Sequence, residues 1–191
     1  MLSVRCGSFA LRFSIWFFVQ LFCCFVLLPR REAGAFLLLC FGHEAAHIAA
    51  ALCCGVRISA LCFEAGSVKM TVLQPPCAKK QRRISAAGPL FNITAAVLLA
   101  LYGCTAGARF SLLLAAFNLL PVGETDGAVL AGQAHPAVRC VLGALLGTVL
   151  FLCAVAFCLS AAAQQRKALL LFFLSSLLEQ KEMQMGYTNA R

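Results

Sequence analysis

The sequence predicts an all-α polytopic membrane protein of about five to six transmembrane helices, with a short β-hairpin and one broken helix. Three observations carry this reading. Of 191 residues, 62% are apolar and 12% charged, about half the charged share of an ordinary soluble domain. The mean hydropathy is +0.89. The apolar residues also fall into runs long enough for a bilayer core of about 30 Å, which takes roughly 20 residues of helix. A soluble domain of this size has too little interior to hide so much apolar surface. Lipid accepts it.

The first run covers residues 9–28 and stops at Pro29-Arg30-Arg31-Glu32. It lacks a small-residue cleavage pattern, so it reads as an uncleaved first span and not as a removable signal. The second span covers residues 33–54 and closes at Gly55. Residues 56–73, VRISALCFEAGSVKMTVL, are rich in β-branched side chains around Glu64-Ala65-Gly66-Ser67, which reads as two short strands and a turn. Pro75-Pro76 then break the chain, Lys79-Lys80-Gln81-Arg82-Arg83 follow, and a third span runs over residues 84–102.

A fourth begins over residues 109–120, meets Pro121 and Gly123, and resumes at 128–131. Helix broken at membrane depth is tolerated only where protein buries it or it borders a wet cavity. The fifth span covers residues 138–163. Residues 168–178 make a short sixth crossing or lie in the interface. The chain reads as one transmembrane domain, 1–191 with its core at 33–132, and no separate soluble domain.

The net charge of +9 follows from topology without any nucleic acid, because Lys and Arg collect on cytoplasmic loops. The loop at 55–83 carries Arg57, Lys69, Lys79, Lys80, Arg82 and Arg83 and is therefore expected in the cytoplasm, with Arg5 and Arg12 on the same side of a multi-pass cell-membrane protein. The lipid bilayer is the expected partner, and nucleic acid is not. The twelve cysteines include no CxxC pair and mostly lie within apolar runs. They read as buried packing residues and not as a disulfide framework.

His43-Glu44-Ala45-Ala46-His47 fits HExxH within the second span. Positions i and i+4 share a helix face, so both imidazoles can reach one ion. Glu44 lies about 100° round the helix, where it can act on a water instead of the metal. Ionisable groups inside a membrane are expensive and usually functional. The alternative is a polar seam between helices. A catalytic zinc takes three protein ligands. Asp126, the chain's one aspartate, follows the helix break in FNLLPVGETDG. It is a candidate third ligand or an ordinary Asp-Gly turn, with Glu124 as competitor. His135, before Pro136, lacks a partner at ligand spacing and reads as a loop residue.

HExxH on one span, GPLFN at 88–92 on the next and NxxPxxxxDG over 118–127 on a later one occur together, in this order, in the site-2 proteases. Over residues 33–132 the chain resembles that family of intramembrane zinc metalloproteases, which cut transmembrane or membrane-associated substrates. The resemblance implies one zinc ion held by His43, His47 and Asp126, with Glu44 as the acid and base. Gly88, Pro89 and Asn92 match the middle motif, and Asn118, Pro121 and Gly127 the last. Asn92 and Asn118 are implied at the substrate. The short stretch before HExxH and the lack of a PDZ insertion make the sporulation branch, which processes a mother-cell sigma-factor precursor, the most similar. The expected partners are a membrane-embedded or membrane-tethered protein substrate and membrane regulators.

Two other classes are open: an intramembrane metal transporter or sensor, and a catalytically silent membrane binding protein. Transporters often pair broken helices in repeated halves; this chain has one broken helix and no repeat. Its intact HExxH argues against silence. The strand pair is expected either to receive substrate as an added strand or to close the cavity as a structural hairpin.

Overall fold

A computed structural model describes residues 2–7, 9–64, 67–121 and 125–132, with 137, 138, 140, 141 and 145 beyond them. The elements are β1 (Leu2–Cys6), β2 (Phe9–Phe13), α1 (Ile15–Leu27), α2 (Arg30–Cys53), β3 (Ile58–Glu64), β4 (Ser67–Val72), α3 (Ala78–Leu101), α4 (Thr105–Asn118) and α5 (Asp126–Leu130). Of the predicted span at 138–163 only residues 138, 140, 141 and 145 are described, and the predicted segment at 168–178 lies outside the described residues. The chain divides into two compact units, one holding the strands and α1, the other most of α2 and the later helices.

In the first unit the strands form one mixed sheet in the order β1-β2-β3-β4. β2 runs parallel to β3, and the other pairs are antiparallel. Side chains alternate between faces along a strand, so the register sorts them. Leu2, Val4, Leu11, Phe13, Leu61, Phe63, Val68 and Met70 share one face, while Arg5, Arg12, Cys62 and Lys69 share the other. On the apolar face Phe13 stacks on Phe63 at 4.8 Å, and Phe17 of α1 meets Phe63 edge-on at 5.5 Å. On the other face Lys69 pairs with Glu64 at 3.2 Å.

The expected hairpin at 56–73 is present as β3 and β4. The expected first span at 9–28 is corrected. Residues 9–13 are strand β2, Ser14 caps α1 by accepting from the Trp16 N–H, and α1 has 13 residues, about 20 Å of helix against a core of about 30 Å. A hydropathy sum treats FALRF as helix. It cannot register that the strand's backbone is satisfied by β3, far along the chain. Because β2 is hydrogen-bonded to β3, Arg12 and the start of the basic loop lie on the same side of any bilayer, whichever side that is.

In the second unit α2 and α3 have 24 residues each and are long and apolar enough to cross a membrane. Gly55 ends α2 with φ +70. Its N–H reaches Leu52 O and that of Val56 reaches Ala51 O, a Schellman closure that needs the left-handed conformation glycine adopts freely. Gly103 closes α3 in the same way, at φ +76, through Gly103 N–H to Ala100 O and Cys104 N–H to Leu99 O. α4 has 14 residues and α5 has five, so the predicted break after α4 is present. Phe36 of α2 meets Phe110 of α4 edge-on at 5.8 Å, a contact worth about 1 kcal/mol beyond its area.

The polarity of this unit is inverted relative to a soluble core. His43, His47, Asn92 and Ser111 are buried, while Leu38, Leu52, Leu90 and Leu101 are at least 60% exposed. Lipid as the outer solvent accounts for both. The described cysteines are free thiols.

Candidate metal centre

α2 supplies the first two donors. His43 and His47 are one turn apart, at 5% and 6% exposure, with ring centroids 4.7 Å apart. His47 Nδ1 lies 2.7 Å from Ile84 O on α3. A carbonyl only accepts, so Nδ1 carries the proton and neutral His47 turns the lone pair of Nε2 into the site. Ile84 O can accept from His47 through the lone pair that a helix carbonyl keeps beyond its own ladder bond.

Two glycines make room for side chains of the facing helix. A Cβ on Gly42 would fall on the Phe91 ring, and one on Gly88 would fall on His47 Nε2 and on His43 Nε2 and Cε1. Gly88 therefore leaves open the volume in which the imidazole nitrogens sit.

The third donor comes from beyond the helix break. Thr125 caps α5 by accepting from the Ala128 N–H and donates its hydroxyl to Leu120 O. A Cβ on Gly127 would fall on the Leu119 and Leu120 backbone, so the turn needs glycine there. Asp126 is thereby set with Oδ2 at 3.1 Å from His47 Nε2 and 3.3 Å from His43 Nε2. The two Nε2 atoms are 3.0 Å apart.

Two imidazole nitrogens and a carboxylate oxygen converging in this way can hold one metal ion. Tetrahedral zinc with ligand bonds of 2.0–2.1 Å spaces its donors about 3.4 Å apart, close to the separations seen. The Asn92 side chain provides a second test. It is fully buried, its amide head is 3.0 Å from His43 Nδ1, and its Oδ1 has no hydrogen-bond partner among the described residues. A histidine that ligates through Nε2 carries its proton on Nδ1 and needs an acceptor there. The two ends of a carboxamide have the same shape. With Oδ1 turned to His43 the acceptor is supplied, and both rings then face the site with their lone pairs. The residues present fit a zinc ion.

No protein-family model matches the chain, and no curated protein matches it. Among solved structures, the site-2 protease from Methanocaldococcus jannaschii matches with a TM-score of 0.54 over 92% of this chain and 94% of that one, at 18% identity. The chain shares that fold. In this fold HExxH and the Asp-Gly pair of the chain come together in space.

The other residues named from sequence fall as follows. Glu44 follows His43 on α2, is half-buried, and is not one of the three converging donors. Asn92, expected at the substrate, is enclosed beside His43. Asn118 donates its side-chain amide to Leu114 O within α4, at 3.0 Å. Glu124 and His135 lie outside the described residues. Sequence reasoning missed Ser111, whose hydroxyl donates to Asn92 O at 2.8 Å. A lone serine among apolar residues gives no signal of its own.

Proposed function

We propose that the chain is an intramembrane zinc metalloendopeptidase that hydrolyses a peptide bond in a membrane-embedded or membrane-tethered protein. The supporting observation is the convergence of His43 Nε2, His47 Nε2 and Asp126 Oδ2, next to Glu44, in a chain with the site-2 protease fold. When bound, zinc supplies Lewis acidity towards water and the peptide carbonyl. His43, His47 and Asp126 would hold it. Asn92 and Ile84 O fix the two rings through their far nitrogens. Glu44 takes the proton from the attacking water and delivers it to the leaving amine. Inside lipid this chemistry needs a substrate segment unwound from helix, because helical peptide carbonyls are already hydrogen-bonded.

Co-expression with membrane-tethered candidate substrates, a sporulation sigma-factor precursor first among them, tests this. Wild type should give a size shift on a gel, and Asp126→Ala should lower both zinc occupancy and cleavage at least about 100-fold, as expected for a lost ligand. Cleavage by Asp126→Ala at the wild-type rate would remove the carboxylate from the site.

For substrate capture we propose the edge of the sheet. β3 is paired on both sides, so among the described residues β4 is an edge of the sheet. Along β4, N–H groups alternate between β3 and the open side. Proline at Val68 and Met70, and separately at Lys69 and Thr71, removes one set or the other. The set facing outward should lower cleavage about tenfold with zinc unchanged, the strength expected from lost main-chain hydrogen bonds. Equal, wild-type cleavage in all four variants would exclude strand addition at β4.

For topology we propose that the basic loop faces the cytoplasm. Cys77, just before α3, is exposed. The Lys80 backbone N–H above all, with Lys79 N–H and the Lys80 charge, holds its thiol below the ordinary range. The thiolate reacts, so a chain with Cys77 as its one cysteine should label rapidly at neutral pH once cells are opened. In intact cells an impermeant maleimide should leave it unlabelled. Rapid labelling of intact cells would invert the topology.

A further inference from the structure

The buried face of α4 consists of small residues, Gly107, Ser111 and Ala115, together with Phe110. Small residues let helices approach in lipid, and alanine would serve that purpose at 111. The hydroxyl needs its own reason. Ser111 is 0% exposed, and its Oγ–H donates at 2.8 Å to the backbone carbonyl of Asn92, using the lone pair that a helix carbonyl keeps beyond its own ladder bond. Asn92 is the residue whose amide head sits 3.0 Å from His43 Nδ1. A hydrogen-bonded chain therefore runs from α4 through α3 to α2: Ser111 holds the backbone of Asn92, and the side chain of Asn92 holds the ring of His43.

We infer that Ser111 is a positioning residue of the metal centre, which sets the orientation of His43 through Asn92 without touching the metal. The inference rests on the proposed metal site and adds to it the residue that aims one ligand. Without the hydroxyl, residue 92 loses its hydrogen bond to α4, and the amide no longer meets His43 Nδ1 at one fixed angle. Partners behind a ligand typically change metal affinity 10–100-fold, more than a contact serving helix packing alone would.

Purified full-length chain in detergent, stripped and titrated with Co2+, reads this out through affinity and through the visible bands that report ligand geometry. Ser111→Ala should weaken Co2+ binding about tenfold or more and shift the bands, within the range for such partners. Asn92→Ala should do at least as much. The double variant should bind no more than about twofold worse than Asn92→Ala, since both act through one route. Ser111→Thr, which keeps the hydroxyl, should return to within about threefold of wild type. Thr94→Ala, which removes an exposed hydroxyl bonded to Leu90 O of its own helix, should bind as wild type. If Ser111→Ala does not fold, Ser111→Cys, with similar volume and a weak donor, takes its place. Wild-type affinity and bands in the Ser111 variant beside a weakened Asn92→Ala would overturn the inference alone, as would losses that add in the double variant. A wild-type protein that takes up no Co2+ would overturn the metal site and the inference with it.

Discussion

Replacing Gly88 by alanine is expected to empty the metal site while leaving α3 intact. The added Cβ would fall on His47 Nε2 and His43 Nε2, the atoms that face the ion. Neither ring can retreat freely, because His47 is tied to Ile84 O and His43 lies against Asn92. Helix propensity works the other way, since alanine favours helix over glycine by about 1 kcal/mol, so loss of metal would not reflect a weaker α3. Elemental analysis of the purified variant should show zinc reduced at least about 100-fold in affinity, the scale of losing correct geometry at two ligands. Gly34→Ala on α2, where a Cβ meets nothing within 4 Å, should retain zinc and activity. Full zinc occupancy in Gly88→Ala would mean that the ion does not sit between these imidazoles.

The second large effect is expected at Glu44. Glutamine preserves shape and removes the base, so Glu44→Gln should lower cleavage by about 10²–10⁴-fold, the usual contribution of a positioned acid or base. Zinc content should be unchanged, because Glu44 is not among the three converging donors. Size shift of a co-expressed substrate and metal analysis of the same preparation read the two quantities together. This substitution also separates the function classes. A metal transporter or sensor built on His43, His47 and Asp126 would keep its activity with glutamine at 44, whereas a protease would not. Loss of zinc along with cleavage would make Glu44 a ligand.

Much of this site could be read from the chain because its chemistry is periodic or rare. HExxH places two imidazoles on one helix face whatever surrounds them, and the structure puts His43 and His47 there. Asp126 stood out as the one aspartate, beside the break at Pro121. The hairpin at 56–73 showed through β-branched residues flanking a turn. What stayed hidden depends on partners distant in sequence. FALRF became β2 because β3 offers a ladder, and no local pattern announces that. Gly88 was visible as a motif position, but its reason, the absence of room for a Cβ beside two imidazoles, exists only once α2 and α3 pack. Ser111 matters through a carbonyl on another helix, and a serine between Phe110 and Leu112 looks like any small residue in a span.

X-ray absorption at the zinc edge of the purified wild-type protein should show about one zinc per chain, with two imidazole nitrogens and carboxylate or water oxygens at 2.0–2.2 Å. The chain's twelve cysteines offer a chemically distinct alternative, since thiolate sulfur lies at about 2.3 Å from zinc. A spectrum dominated by sulfur, or protein purified without zinc and unable to bind it, would contradict the assignment of His43, His47 and Asp126 as a metal centre.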